Sequence, residues 1–217
     1  MTNYEAFFPY VLTEVPGAPE PVVLLAIRNS CIEFCEKSLV LTRDHDPITL
    51  LQGINDYELE PPDGYLVVKV QKAWVENNPI DPIAPDIVRD AAVYNRLFAS
   101  YNTGSGSTPK GYLQKEERSI SVWPLPDKRY PNGLTLRVAL KPTRASSQID
   151  DVIFEDYAEI IASGALHRLM SSAGKAYTSP ELAGVHKLKF DQGVNVARSR
   201  ALHGHVRSNL SVKLRKI

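Results

Sequence analysis

Three stretches of the chain carry residue types that do chemistry. Asp44, His45 and Asp46 set an imidazole between two carboxylates, the combination used in general acid/base work or metal binding. Three consecutive side chains rarely converge on one point, and Pro47 follows, so the trio reads as a solvated turn leading into a strand. Cys31 and Cys35 stand one helical turn apart, but a zinc site needs about four ligands and no second Cys/His pair of that spacing exists. They read as buried thiols on a core face. His203 and His205 flank Gly204 without a thiol or carboxylate beside them and read as polar tail residues. Gly174-Lys175 has Leu169 where a phosphate-binding loop needs its first glycine, and no Gly-x-Ser-x-Gly elbow occurs. No catalytic residue, cofactor or metal ligand is assigned.

The stretch that does read as functional is the basic end. After Asp191 there is no Asp or Glu, but Arg198, Arg200, Arg207, Lys213, Arg215 and Lys216 follow; before Arg28 there is no Lys or Arg, only Glu5, Glu14 and Glu20. An acidic head and a basic tail suit head-to-tail contacts between copies or an acidic partner. Within the tail, Leu202, Val206, Leu210, Val212, Leu214 and Ile217 are spaced among the cations, and residues 210–214 alternate with the period of a strand that pairs with a foreign sheet edge. The formal net charge of zero argues against a protein that coats nucleic acid through bulk charge. A DNA-binding module that places Arg198, Arg200, Arg207, Lys213, Arg215 and Lys216 on phosphates is the rival reading, and a hydrolase at Asp44, His45 and Asp46 is a third.

The elements that position this tail are helical. Asp150 and Asp151 suit a helix start, after which Phe154, Tyr157, Ala158, Ile161, Ala165 and Leu169 share a core-facing side. Gly174 suits a left-handed stop, and Ser179-Pro180-Glu181 restarts a helix that repeats Leu182, Val185, His186, Phe190, Val194, Ala197 and Ala201. A further helix over 22–38 follows from Val23, Ile27, Cys31 and Cys35. Between Val40 and Pro142 the signals are strands: 48–51, 57–59, 65–75 (alternating from Val68 onwards), 112–114, 119–123 and 134–140, with turn markers at 61–64, 77–79, 124–127 and 131–133. A helix over 86–100 and a Gly/Ser linker over 102–109 interrupt them. The proline-rich residues 1–21 read as an extended arm with a short helical or turn portion.

The expected fold is therefore α+β, and antiparallel within its helical part. A helical domain (22–39 and 149–202, an N-terminal helix plus a C-terminal helical hairpin) carries an inserted β-rich domain (40–148), an N-terminal arm (1–21) and an extended C-terminal tail (203–217). At 217 residues with 43% apolar content the chain can bury a real core. No basic start with an apolar stretch marks a secretory signal, and no window approaches the roughly 18 apolar residues of a membrane span, so the expectation is a chain made in a reducing cytoplasm with no membrane partner.

Residues 150–170, Gly174-Lys175-Ala176-Tyr177, Pro180-Glu181-Leu182-Ala183, Phe190-Asp191-Gln192-Gly193-Val194 and Ala197-Arg198 together resemble the C-terminal half of the adaptor (head-completion, or neck) proteins of tailed bacteriophages. Residues 26–38 are similar to the first helix of the same proteins. The resemblance implies a structural, non-enzymatic virion protein at the head–tail junction. It would form a ring with copies of itself, a dodecamer if it follows the family, that binds the portal protein above and a tail or nozzle protein below. Packaged DNA would pass through the ring without sequence-specific binding. Portal binding would fall to Leu202, Val206, Arg207, Leu210, Val212, Lys213, Leu214, Arg215 and Ile217, with the free protein monomeric until the tail orders on docking.

Overall fold

The computed structural model describes residues 1–83 and 108–203. The expected helix over 86–100, most of the Gly/Ser linker and all of 204–217 lie outside the described residues. The architecture is α+β, and the chain divides into two compact units, residues 1–40 with 147–217 and residues 41–146.

In the first unit β1 (Thr2–Asn3) pairs antiparallel with β9 (Gln148–Ile149), and a 3-10 turn over Tyr4–Phe7 leads into α1 (Phe8–Val11). The short helical or turn portion expected in this arm is present, and the segment is packed down rather than extended: Tyr4, Phe7, Val11 and Val15 are buried, and Phe7 meets Phe154 edge-on with ring centroids 5.0 Å apart. Pro9 and Pro16 still forbid one continuous helix, but Tyr4 and Phe7 before them and Val11 and Val15 between them have enough apolar area to fold the segment down. α2 (Glu20–Ser38) starts with proline in its first turn and ends at Leu39, which adopts the left-handed conformation (φ 56°). α3 (Asp151–Met170) is capped by Asp150, whose carboxylate accepts the Val152 N–H at 3.1 Å. Gly174 turns the chain with φ +72°, and α4 (Pro180–His203) begins at the expected proline, with the Ala183 N–H donating to Ser179 O at 2.9 Å.

α3 is the centre of this unit: Ile161, Ala162, Ala165, Leu166 and Leu169 are buried. Phe34 of α2 lies against Tyr157 of α3 and Phe190 of α4, at ring-centroid distances of 5.0 and 6.4 Å. Two glycines allow the close approach of α3 and α4. A Cβ on Gly164 would stand 2.6 Å from the Phe190 ring, and one on Gly193 2.5 Å from Ile160.

The second unit is one seven-stranded sheet in the order β2-β8-β4-β5-β6-β7-β3. Its strands are β2 (Thr42–Leu50), β3 (Asp56–Glu58), β4 (Tyr65–Val75), β5 (Asn78–Pro82), β6 (Gly111–Glu116), β7 (Ser119–Trp123) and β8 (Tyr130–Pro142). All neighbours are antiparallel except β5 and β6. Two expected turns lie within or beside strands. Glu76 and Asn77 both take positive φ (48° and 66°), so a two-residue hairpin closes β4 onto β5, and Asn78-Pro79 already belongs to the strand. Pro131-Asn132-Gly133 forms a bulge inside β8, where the Asn132 N–H is held by Thr49 Oγ1 at 3.0 Å. In β4 the clean alternation expected from Val68 is shifted by two further bulges, so Tyr65, Val67, Val70, Ala73 and Val75 are the buried set. Each bulge adds one unpaired residue and moves the period-two face along by one.

Candidate functional site

Among the described residues the chemistry-bearing side chains do not assemble. Asp44, His45 and Asp46 lie in β2 and not in a turn, which corrects the expectation for them. The His45 ring is engaged at both nitrogens: Nδ1 donates to Asp46 O at 2.7 Å and Nε2 accepts the Glu60 N–H at 3.0 Å. Asp44 stands 4.0 Å from the Arg137 guanidinium across the strand pair. Cys31 and Cys35 are fully buried in α2; burial pushes both thiols up, Cys35 to about 12, so neither offers a thiolate.

Both edges of the sheet are blunted. β3 is three residues long, and β2 carries Pro47, a run of charges and two register shifts. A strand arriving from elsewhere meets few regular backbone donors and acceptors along either edge.

The helical unit differs. Along α4, Ala183, His186, Phe190, Val194 and Ala197 are buried, at steps of three and four that draw a seam about 80° wide at 100° per residue. On the opposite side Leu182, Val185, Leu188, Val196 and Leu202 face solvent, the last three at 63%, 66% and 73% exposure. Leu182 and Val185 belong to the expected apolar repeat, but the buried seam is too narrow to include them. Leu188 and Val196 were missed, although a helix with apolar residues spread well beyond a ~100° stripe signals two faces. Of the tail residues expected to bind a portal, Leu202 sits on the last turn of α4, and Val206, Arg207, Leu210, Val212, Lys213, Leu214, Arg215 and Ile217 lie outside the described residues.

Ion pairs brace the helices behind this face. Arg168 Nη1 donates to Ser30 Oγ at 2.9 Å and to Gly164 O at 3.0 Å, and its Nη2 binds Glu33, which also takes Lys37. Burial alone would raise the Glu33 carboxyl, but the hydrogen bonds from Lys37 and Arg168 outweigh it and hold the group below its ordinary range. Arg200, a candidate phosphate contact in the rival reading, reaches Asp156 and Tyr157 Oη, each at 3.4 Å. His186 is buried on the α4 seam, and its Nδ1 has no hydrogen-bond partner among the described residues. Burial pushes its pKa below the ordinary histidine value; Glu14 opposes this and Lys189 and His167 add to it.

α4, 24 residues long, is thus buried along one seam and carries five exposed apolar side chains among polar ones on its other side. A family model described as the SU10 adaptor protein matches residues 16–210. The chain belongs to the SU10 adaptor family. The match spans both units, so the α4 face and the inserted sheet are parts of one adaptor. Comparison with curated proteins gives no match. Membership makes the chain a structural phage adaptor, a virion component that interacts with other capsid or tail proteins. Among the described residues no helix is long and apolar enough to cross a membrane.

Proposed function

We propose that this adaptor forms a ring between the portal and the tail, extending the channel through which packaged DNA leaves the head. The observation that carries the reading is the α4 outer face. Leu182, Val185, Leu188, Val196 and Leu202 stay in water in the single chain, and covering them against the next copy removes apolar surface at about 25 cal/mol per Å². Repeated heterologous contacts of that kind either close into a ring or grow into filaments, and a portal template favours closure. In this arrangement α2, α3 and α4 stand side by side as an antiparallel bundle, with α3 and α4 as a helical hairpin. The domains fall at 22–39 with 149–202 for the helices and 40–148 for the sheet, and the sheet unit faces the tail side. Residues 203–217 reach the portal through Leu202, Val206, Arg207, Leu210, Val212, Lys213, Leu214, Arg215 and Ile217.

Electron microscopy of the protein mixed with its portal tests this. A ring appears in the mixture, and Leu188→Asp with Val196→Asp prevents it while the circular dichroism of the free chain stays unchanged. Deleting residues 203–217 abolishes portal binding. A ring indifferent to the two aspartates, or full portal binding without the tail, overturns the corresponding half of the proposal. The DNA-binding alternative predicts instead that the free chain binds naked duplex with an affinity that falls steeply with salt.

A further inference from the structure

A groove of about 290 Å³ runs over the first turns of α3, with Tyr10, Phe154 and Ile160 as its apolar part and Glu155, Asp156 and Glu159 around them. Tyr10 is 42% exposed and its ring lies 6.4 Å from that of Phe154, so an aromatic pair is open to a visitor. The surroundings are rich in carboxylates. Residues 150–160 contain five carboxylates and no Lys or Arg, and the first 27 residues contain three and none. Two cations already use these carboxylates: the Met1 ammonium pairs with Asp151 at 2.6 Å, and Arg200 of α4 meets Asp156 at 3.4 Å and lies over the Tyr157 ring, 6.0 Å from its centroid.

Residues 204–217 follow directly on α4, and Arg200, three residues before its last described residue, already lies beside the groove. That segment is the chemical complement of the surface. It has Arg207, Lys213, Arg215 and Lys216, no acid, and Leu210, Val212 and Leu214 in alternation. Fourteen residues reach up to ~46 Å at about 3.3 Å each, far more than the groove requires. We infer that the groove binds residues 204–217 of the same chain, cations on its carboxylates and alternate apolar side chains on Tyr10 and Phe154. The docked tail is a property of the free monomer and stands whether or not the adaptor-ring reading holds. If both hold, the portal must compete with the groove for the tail, and a subunit away from a portal keeps its basic end covered.

A spin label on Asn209→Cys in the full chain tests the inference, since Cys31 and Cys35 are buried and unreactive. Amide signals of Tyr10 and residues 154–160 broaden in the isotopically labelled chain that carries the spin label. They stay sharp when the spin label sits only on unlabelled chains mixed with it. Glu155→Lys with Glu159→Lys lowers the docked population by ~10-fold at low salt, as two attractive pairs become repulsive. Adding Arg207→Glu, Lys213→Glu, Arg215→Glu and Lys216→Glu to that variant restores broadening. Absence of broadening, broadening centred elsewhere, insensitivity to the reversals, or broadening only in the mixed sample, which assigns the groove to a second copy's tail, each overturns it. None of these outcomes depends on portal binding, which is measured separately.

Discussion

Two glycines in the helical unit are expected to respond to alanine in opposite directions. Gly184 and Gly164 both lie inside helices, where alanine is worth about 1 kcal/mol more than glycine. A Cβ at Gly184 would meet nothing within 4 Å. At Gly164 it would stand 2.6 and 2.7 Å from two carbons of the Phe190 ring and 3.1 Å from Ser30 Oγ. Carbon pairs rest at about 3.5–4.0 Å, so the ring has to retreat by roughly 1 Å, and Phe190 is wedged between α3 and α2 by its contact with Phe34. Overpacking of that size costs ~1–3 kcal/mol. Gly184→Ala is therefore expected to stabilise by ~1 kcal/mol, and Gly164→Ala to come out ~0–2 kcal/mol less stable than the parent. The propensity gain is common to both, so the gap between them, ~1–3 kcal/mol, measures the packing alone. Urea denaturation followed by far-ultraviolet circular dichroism reads this, because α2, α3 and α4 all belong to one unit. Tryptophan fluorescence follows the other unit separately, since Trp74 and Trp123 both lie in the sheet unit. Phe190→Leu on the Gly164→Ala background should recover part of the loss. Equal stabilisation by the two alanines would refute the close-packed crossing.

Three further outcomes follow. Arg168→Met removes the donor shared by Ser30, Gly164 O and Glu33 and should cost ~1–2 kcal/mol, checked by the same denaturation. Because the Glu33 carboxyl is held low, its share of stability is present above the ordinary carboxylate pKa and is lost as pH falls through the lowered value; Glu33→Gln should flatten that acid limb. His186 works in another window. Its pKa is lower folded than unfolded, so the unfolded chain binds the extra proton and stability falls as pH drops from about 6.5 towards the lowered value. His186→Leu should remove this slope, and a slope that persists would mean another group carries it.

Much of the helical unit is legible in the residues. Asp150 as a cap, Ser179-Pro180 as a start and Gly174 as a left-handed turn each follow from local stereochemistry, which acts over three or four residues. The inserted strands were found but not their limits. Pro131-Asn132-Gly133 carries every mark of a chain reversal and is a bulge within β8, because Thr49 on the neighbouring strand supplies the hydrogen bond that keeps pairing intact. That partner lies 83 residues away, beyond any local pattern. The arm was read in part for a similar reason: its short helical portion is visible locally, but Phe7 looks exposed in a proline-rich stretch until α3 supplies Phe154 to cover it. The α4 surface was half visible, since its apolar repeat was read as one stripe. The division into Ala183, His186, Phe190, Val194 and Ala197 on one side and Leu182, Val185, Leu188, Val196 and Leu202 on the other depends on how narrow a strip α3 and α2 cover.

The guarded margins of the seven-stranded sheet bear on the proposed ring, in which copies stand side by side. Subunits held at high local density bring their sheets repeatedly within reach of one another, and an open margin would let them stitch into an endless cross-linked ribbon. Pro47, the kinked run through Asp44 and Asp46, and a closing strand of three residues make such stitching unproductive. In the proposed ring such crowding is tolerated, and the choice of neighbour is left to the helices.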